Sequence, residues 1–295
     1  MHGDSKHQTS PIVNAPVPVY QPMSYRHVQT QTNPLQAVNP PMSGINFPST
    51  FNSIPSNSRS MNLVDTNMML QIDPSYQNNY GIEKFDMRLK ENFKLFISGP
   101  SRCGKTFFVS DLIENIEGFS KQPPSTIIYV YKVWQTKFDE MQSIVHIFIA
   151  DNENIVNQLK QMAVGQPIFV IFDDLLNSNS LADISNLFTV DGRHMNMSMA
   201  FITQRMFVNN EHFRQISQNC DYFCVFKNPR NSSEIRTLAQ QLTPGSLELV
   251  DVYMEATKDP FTYLFINLTQ ECPPKVKYLS RLFDWDHSCK VWVIN

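Results

Sequence analysis

The segment Gly99-Pro100-Ser101-Arg102-Cys103-Gly104-Lys105-Thr106 constrains this chain more than any other. It follows a short apolar run at 93–98 and opens a helical pattern at 105–116. Apolar runs of this length between turn residues read as strands buried on both faces. A loop bounded by glycines lets the backbone leave such a strand sharply, without a Cβ clash, and enter a helix. A strand, tight loop and helix in that order is the opening unit of an α/β fold.

The rest of residues 81–295 repeats the alternation. Strands are predicted at 93–98, Thr126–Tyr131, 144–149, 167–172, 198–203, Tyr222–Phe226 and 261–268. Helices are predicted at 105–116, 153–162, 231–242 and 246–256. Alternating β and α units imply a mostly parallel central sheet flanked by helices. About 215 residues suffice for one such domain with an ample core.

The loop fits G-x-x-x-x-G-K-[ST]. In this strand-to-helix context, its successive N–H groups and the helix N-terminus suit a phosphate group. The expectation is a P-loop nucleotide site formed by Gly99, Pro100, Ser101, Arg102, Cys103, Gly104, Lys105 and Thr106. Lys105 would reach the β- and γ-phosphates, and Thr106 would give its hydroxyl to Mg²⁺. Cys103 reads as a small loop filler. The run at 168–172 ends in Asp173-Asp174, which puts carboxylates at the carboxyl edge of the sheet, where α/β ligands bind. Asp173 is expected to hold Mg²⁺ through water, and Asp174 to orient and deprotonate an attacking water. Asp173 lies 68 residues after Lys105, room for two further strands between the loop strand and this one. That insertion is typical of additional-strand, RecA-like hydrolases. The strand at 198–203 ends in Gln204, placed to contact the γ-phosphate or the water. Arg193 stands eleven residues before it, expected on the sheet edge that carries the nucleotide.

Composition separates the ends of the chain. Residues 1–80 hold ten of the nineteen prolines and only six charged residues. Such a segment buries too little apolar surface to offset its ordering entropy, so a disordered tail is predicted. A formal charge of −3 excludes a polybasic nucleic-acid coat and leaves only local patches for nucleic acid. Five cysteines are too few for a disulfide scaffold and suggest a reducing compartment. No apolar run reaches the length of a membrane span, and the first thirty residues lack the apolar core of a secretory signal.

Taken together, 93–116, 167–174 and 191–205 resemble the FtsK/HerA superfamily of DNA-pumping ATPases. Within it the likeness is to the genome-packaging ATPases of DNA viruses and Polinton-like elements, the poxvirus-type branch. Asn228-Pro229-Arg230 and 261–268 also resemble that branch, and the likeness covers roughly 90–270. It implies a homo-oligomeric ring that hydrolyses ATP with Mg²⁺ and moves double-stranded DNA, independently of sequence, into a preformed capsid. A capsid or portal-vertex protein would be the partner. The place of action would be sites of virion assembly inside the host cell, or the virion itself. Arg193 matches an arginine that reaches the neighbouring subunit's nucleotide. Asp174 stands where many members carry Glu, although the viral branch often has Asp. A helicase or replication motor, and a nucleotide-gated adaptor that hardly turns over, are the alternative functions.

Other clusters carry weaker signals. Cys220 and Cys224 have C-x₃-C spacing, but Cys224 falls inside an apolar strand and reads as a core thiol rather than a zinc ligand. Lys132, Trp134 and Lys137 mix an aromatic with bases after a strand, which suits a loop that grips a nucleic-acid backbone. Lys275, Lys277 and Arg281 form a loose basic cluster.

Overall fold

The computed structural model describes residues 86–190, 192, 194–283 and 289–292. The tail expected at 1–80 lies outside them. Nine strands form one sheet among the described residues: β1 (Lys94–Ser98), β2 (Thr126–Tyr131), β3 (Ile147–Ala150), β4 (Ile168–Asp173), β5 (Met197–Thr203), β6 (Tyr222–Phe226), β7 (Tyr263–Asn267), β8 (Tyr278–Ser280) and β9 (Lys290–Trp292). Their spatial order is β3-β2-β4-β5-β1-β6-β7-β8-β9. The six strands from β3 to β6 are parallel, and β7, β8 and β9 continue antiparallel. The expected α/β fold, a mostly parallel sheet flanked by helices, is the one observed.

Burial explains why the central strands are mostly apolar, with Lys94, Ser98, Asp173, Ser198 and Thr203 as buried polar exceptions. Every residue of β1, β4, β5 and β6 is buried. Side chains alternate between two cores. One core takes Phe96, Phe172, Phe201 and Phe223 and is covered by α4 (Ile155–Met162), α5 (Leu181–Thr189), α6 (Glu211–Gln218), α7 (Ser233–Leu242) and α8 (Glu248–Ala256). The other takes Ile97, Tyr129, Ile171 and Phe226 and is covered by α1 (Lys105–Glu114), α2 (Ile116–Phe119) and α3 (Lys137–Met141). Phe96 packs against Phe223 with ring centroids 5.0 Å apart and edge-on to Phe213 of α6 at 5.7 Å. Full burial of such a ring contributes about 1.5–3 kcal/mol.

Local chemistry sets the boundaries. The helix expected at 105–116 ends at Glu114, where Asn115 bonds the Asp111 carbonyl through both its backbone N and Nδ2. β3 starts later than expected because the N–H groups of Ile144 and Val145 donate to the Met141 carbonyl and extend the turn of α3. Helices α3, α5 and α6 and strands β8 and β9 were not expected. α6 buries only Phe213 and Ile216, and its start is fixed by Asn210, whose Oδ1 accepts from Phe213 N at 3.0 Å. Among the described residues no helix is long and apolar enough to cross a membrane.

Candidate nucleotide-binding site

Parallel strands end on one edge, and register brings the expected residues to it. Ser98 pairs with Thr203 on one side and with Val225 on the other, and Asp173 pairs with Ile202. The carboxyl end of β1 carries the loop, β5 carries Gln204, and β4 carries the acid pair. The two extra strands before Asp173 are β2 and β3. In space it is β5 that separates β4 from β1, leaving a strand's width between loop and acids.

Both loop glycines are required. Gly104 caps α1 with φ 111°, and Arg102 is also left-handed at φ 64°. A Cβ on Gly99 would stand 2.6 Å from Phe226 Cβ and 2.7 Å from Cys103 Sγ. Gly99 N also donates to the Thr203 carbonyl at 3.3 Å, which ties the loop to β5. Lys105 Nζ donates to the carbonyls of Gly99 and Pro100 at 2.7 and 2.8 Å. Burial lowers its pKa, while Cys103, Asp173 and Asp174 act the other way. Thr106 is half-buried on the first turn of α1, and Ser101 and Arg102 are exposed. Burial raises the Cys103 thiol, so it stays protonated and packs as the expected loop filler.

Asp173 is only 7% exposed. Burial pushes its pKa up to about 6, although Tyr129 Oη donates to its Oδ2 at 2.9 Å and favours the charged form. Gln135 Nε2 donates to the same oxygen at 3.4 Å. Both described bonds fall on Oδ2, so Oδ1 faces no hydrogen-bond donor among the described residues. Asp174 turns out of the strand at φ 56°, a conformation that aspartate tolerates. Its Oδ2 accepts from Gln204 Nε2 at 3.1 Å, and its N donates to the Ile202 carbonyl. A hydroxyl and a buried carboxylate are hard oxygen donors. They suit Mg²⁺, which takes one or two protein oxygens together with substrate phosphates. The described residues contain no cluster of three or more His, Cys, Asp or Glu that could hold a metal by itself. Cys220 and Cys224 are buried core thiols.

Arg193 lies outside the described residues. His194 and Asn196 precede the amino end of β5, where Asn196 O accepts from Ile168 N. That is the edge opposite the loop, about 20 Å away along seven strand residues. Arg205 instead follows Gln204, is exposed, and lines a cavity of about 470 Å³ with Asp174 and Gln204. Lys132 donates to the Asn177 carbonyl at 3.4 Å. Lys137 pairs with Glu140 and lies 4.4 Å above the Phe107 ring, and Trp134 packs edge-on against Phe138.

Sequence reasoning missed Tyr129 and Gln135. The visible signal was a tyrosine within the apolar run of β2, whose polar tip needs a partner when buried.

No protein-family model and no curated protein sequence matches this chain. Solved structures with a similar fold include the genome packaging NTPase B204 from Sulfolobus turreted icosahedral virus 2, in complex with ATP-gammaS. It is 13% identical, with a TM-score of 0.44 over 61% of this chain and 94% of that one. The cytoplasmic domain of the Thermomonospora curvata type VII secretion ATPase EccC is 13% identical, with a TM-score of 0.45, and covers 68% of this chain. The cytoplasmic domain of EssC is 14% identical with a TM-score of 0.39. This chain spans 28% and 33% of those two longer proteins.

Proposed function

We propose that this chain is a Mg²⁺-dependent ATPase, and that it works as a ring-forming motor that moves double-stranded DNA into a preformed capsid. One observation carries the ATPase reading. Asp174 is bonded to Gln204 on the strand between the loop and the acid pair, on the edge that holds Lys105. A carboxylate and an amide held there can orient a water for in-line attack on a γ-phosphate bound in the loop. Catalysis of this kind is mostly positioning and charge neutralisation. Lys105 neutralises phosphate charge, Asp174 takes the proton of the water, and Gln204 holds Asp174 in place. Thr106 and Asp173 would hold Mg²⁺, whose part is to neutralise the β- and γ-oxygens.

The finer reading rests on the motif resemblance to the poxvirus-type packaging branch. It carries with it the ring, the capsid or portal partner, the arginine in trans, and action at virion assembly sites. It also retains 1–80 as a tail and 81–295 as the motor domain. The test is the ATPase rate of the full chain with and without duplex DNA, alongside a strand-displacement assay. A packaging motor is stimulated by duplex, loses that stimulation steeply with salt, and separates no strands. Strand displacement would favour a helicase, and nucleotide binding without stimulated turnover would favour a gated adaptor.

A further inference from the structure

A cavity of about 330 Å³ lies on the far side of the loop from the acid pair. One wall is the loop itself, at Pro100–Cys103. The others are Pro229, after β6, and the turn 258–262 that leads into β7. Because β7 is antiparallel, its amino end meets the carboxyl end of β6, with Tyr263 opposite Phe226. The turn before β7 therefore arrives on the edge that carries the loop. It abuts the loop closely: a Cβ on Gly104 would stand 3.4 Å from Phe261 Cβ.

Phe261 is the unusual residue there. The residue is 70% exposed, and its φ is +65°, a conformation that bulky residues adopt at a cost of about 1–3 kcal/mol. The turn around it is pinned, since Arg281 donates to the Asp259 carboxylate at 3.2 Å and Thr262 Oγ1 to the Asp259 carbonyl at 2.8 Å. The fold thus holds an aromatic ring out at the mouth of a cavity instead of burying it.

We propose that this cavity receives the base of the nucleotide, with the Phe261 ring as its stacking platform and Pro229 and Pro260 as apolar walls. The inference rests on the nucleotide reading above. A triphosphate whose γ end faces Asp174 and Gln204 across β5 must extend its nucleoside the other way, toward β6 and β7, where this cavity lies. Its volume is in the range of small-molecule sites, and Lys258, ion-paired with Glu255, is among its lining residues.

Calorimetric titration of the full chain with ATPγS and with inorganic tripolyphosphate, both with Mg²⁺, tests this. Loss of one base–aromatic stack weakens binding by about tenfold to a hundredfold. Phe261→Ala should lose that much ATPγS affinity and keep its tripolyphosphate affinity, and Phe261→Trp should restore ATPγS binding. The ring is exposed, so the thermal midpoint of Phe261→Ala should stay close to wild type. Unchanged ATPγS affinity in Phe261→Ala would overturn the proposal. So would equal weakening of both ligands, which would mean that the loop, not the base site, was disturbed. A wild-type chain that binds tripolyphosphate, but ATPγS no more tightly, would sink the base site alone. One that binds neither would sink the nucleotide reading with it.

Discussion

The two flanks of the loop are built from opposite materials. On the β5 side stand a buried carboxylate held by a tyrosine hydroxyl and a left-handed aspartate held by an amide. On the β6–β7 side stand an exposed ring and two prolines. The first flank comes from the ends of parallel strands, so its side chains are positioned by the sheet's own register. The second comes from the approach to an antiparallel strand and is positioned by a pinned turn. Fixed charges belong where bonds change, because misplacing them costs rate. An adaptable apolar surface serves where a ligand is only held.

That contrast can be broken at several points. Lys105→Ala should have the largest effect, abolishing hydrolysis and weakening ATP and tripolyphosphate alike, since the cation serves the phosphates between the flanks. Phosphate-release kinetics and calorimetry check both halves, and near-normal turnover would refute the loop assignment.

The arginine comes next. A guanidinium supplied to a γ-phosphate contributes about 10³–10⁵ in rate. Arg193→Ala should bind ATP almost normally and hydrolyse it very slowly. In the proposed reading this arginine serves the nucleotide of the neighbouring subunit. Mixing Arg193→Ala with Lys105→Ala chains should then restore part of the activity, through interfaces that join an intact loop to an intact arginine. If mixed rings form and show no recovery, Arg205 becomes the candidate, and Arg205→Ala goes into the same assay, with Arg230 after it.

Asp174→Asn should keep Mg²⁺-ATP and cut turnover by about 10²–10⁴, because the amide cannot take a proton. Asp173→Asn should instead weaken Mg²⁺-dependent binding. Its stability signature has the opposite sign to that of a paired carboxylate. The folded-state pKa of about 6 lies above the ordinary 3.8, so between those values the native chain binds more protons than the unfolded one. Stability should therefore fall as pH rises from about 4 through about 6, and level off above. Asp173→Asn should remove that slope and be more stable at pH 8, by on the order of 2–3 kcal/mol. Denaturant titrations in chelator at pH 5 and pH 8 measure this directly.

Smallest should be the effect of starting the chain at Gly81. The proline-rich composition of 1–80 gives it no core pattern, so the shortened chain should fold and hydrolyse ATP at a similar rate. An insoluble product beside a well-behaved full chain would show that the tail belongs to the domain.

The same contrast explains what could be read from sequence. Lys105, Thr106, Asp173, Asp174 and Gln204 were legible because each ends or follows an apolar run, and parallel runs end on one edge. Phe261 was hidden because in the run 261–268 it looks like the start of a strand. Only the antiparallel direction of β7 and a positive φ turn it toward the loop. Tyr129 was hidden because a buried tyrosine inside a strand resembles plain core until a carboxylate is found beside it.

The central claim is that the loop and the acid flank together hydrolyse ATP. Its most direct test is phosphate release from Mg²⁺-ATP by the full chain, at saturating duplex DNA, for wild type, Lys105→Ala and Asp174→Asn. The account predicts turnover in the wild type only, with Asp174→Asn still retaining nucleotide. Release that persists in both variants, or is missing from a wild type that binds ATP, would contradict it.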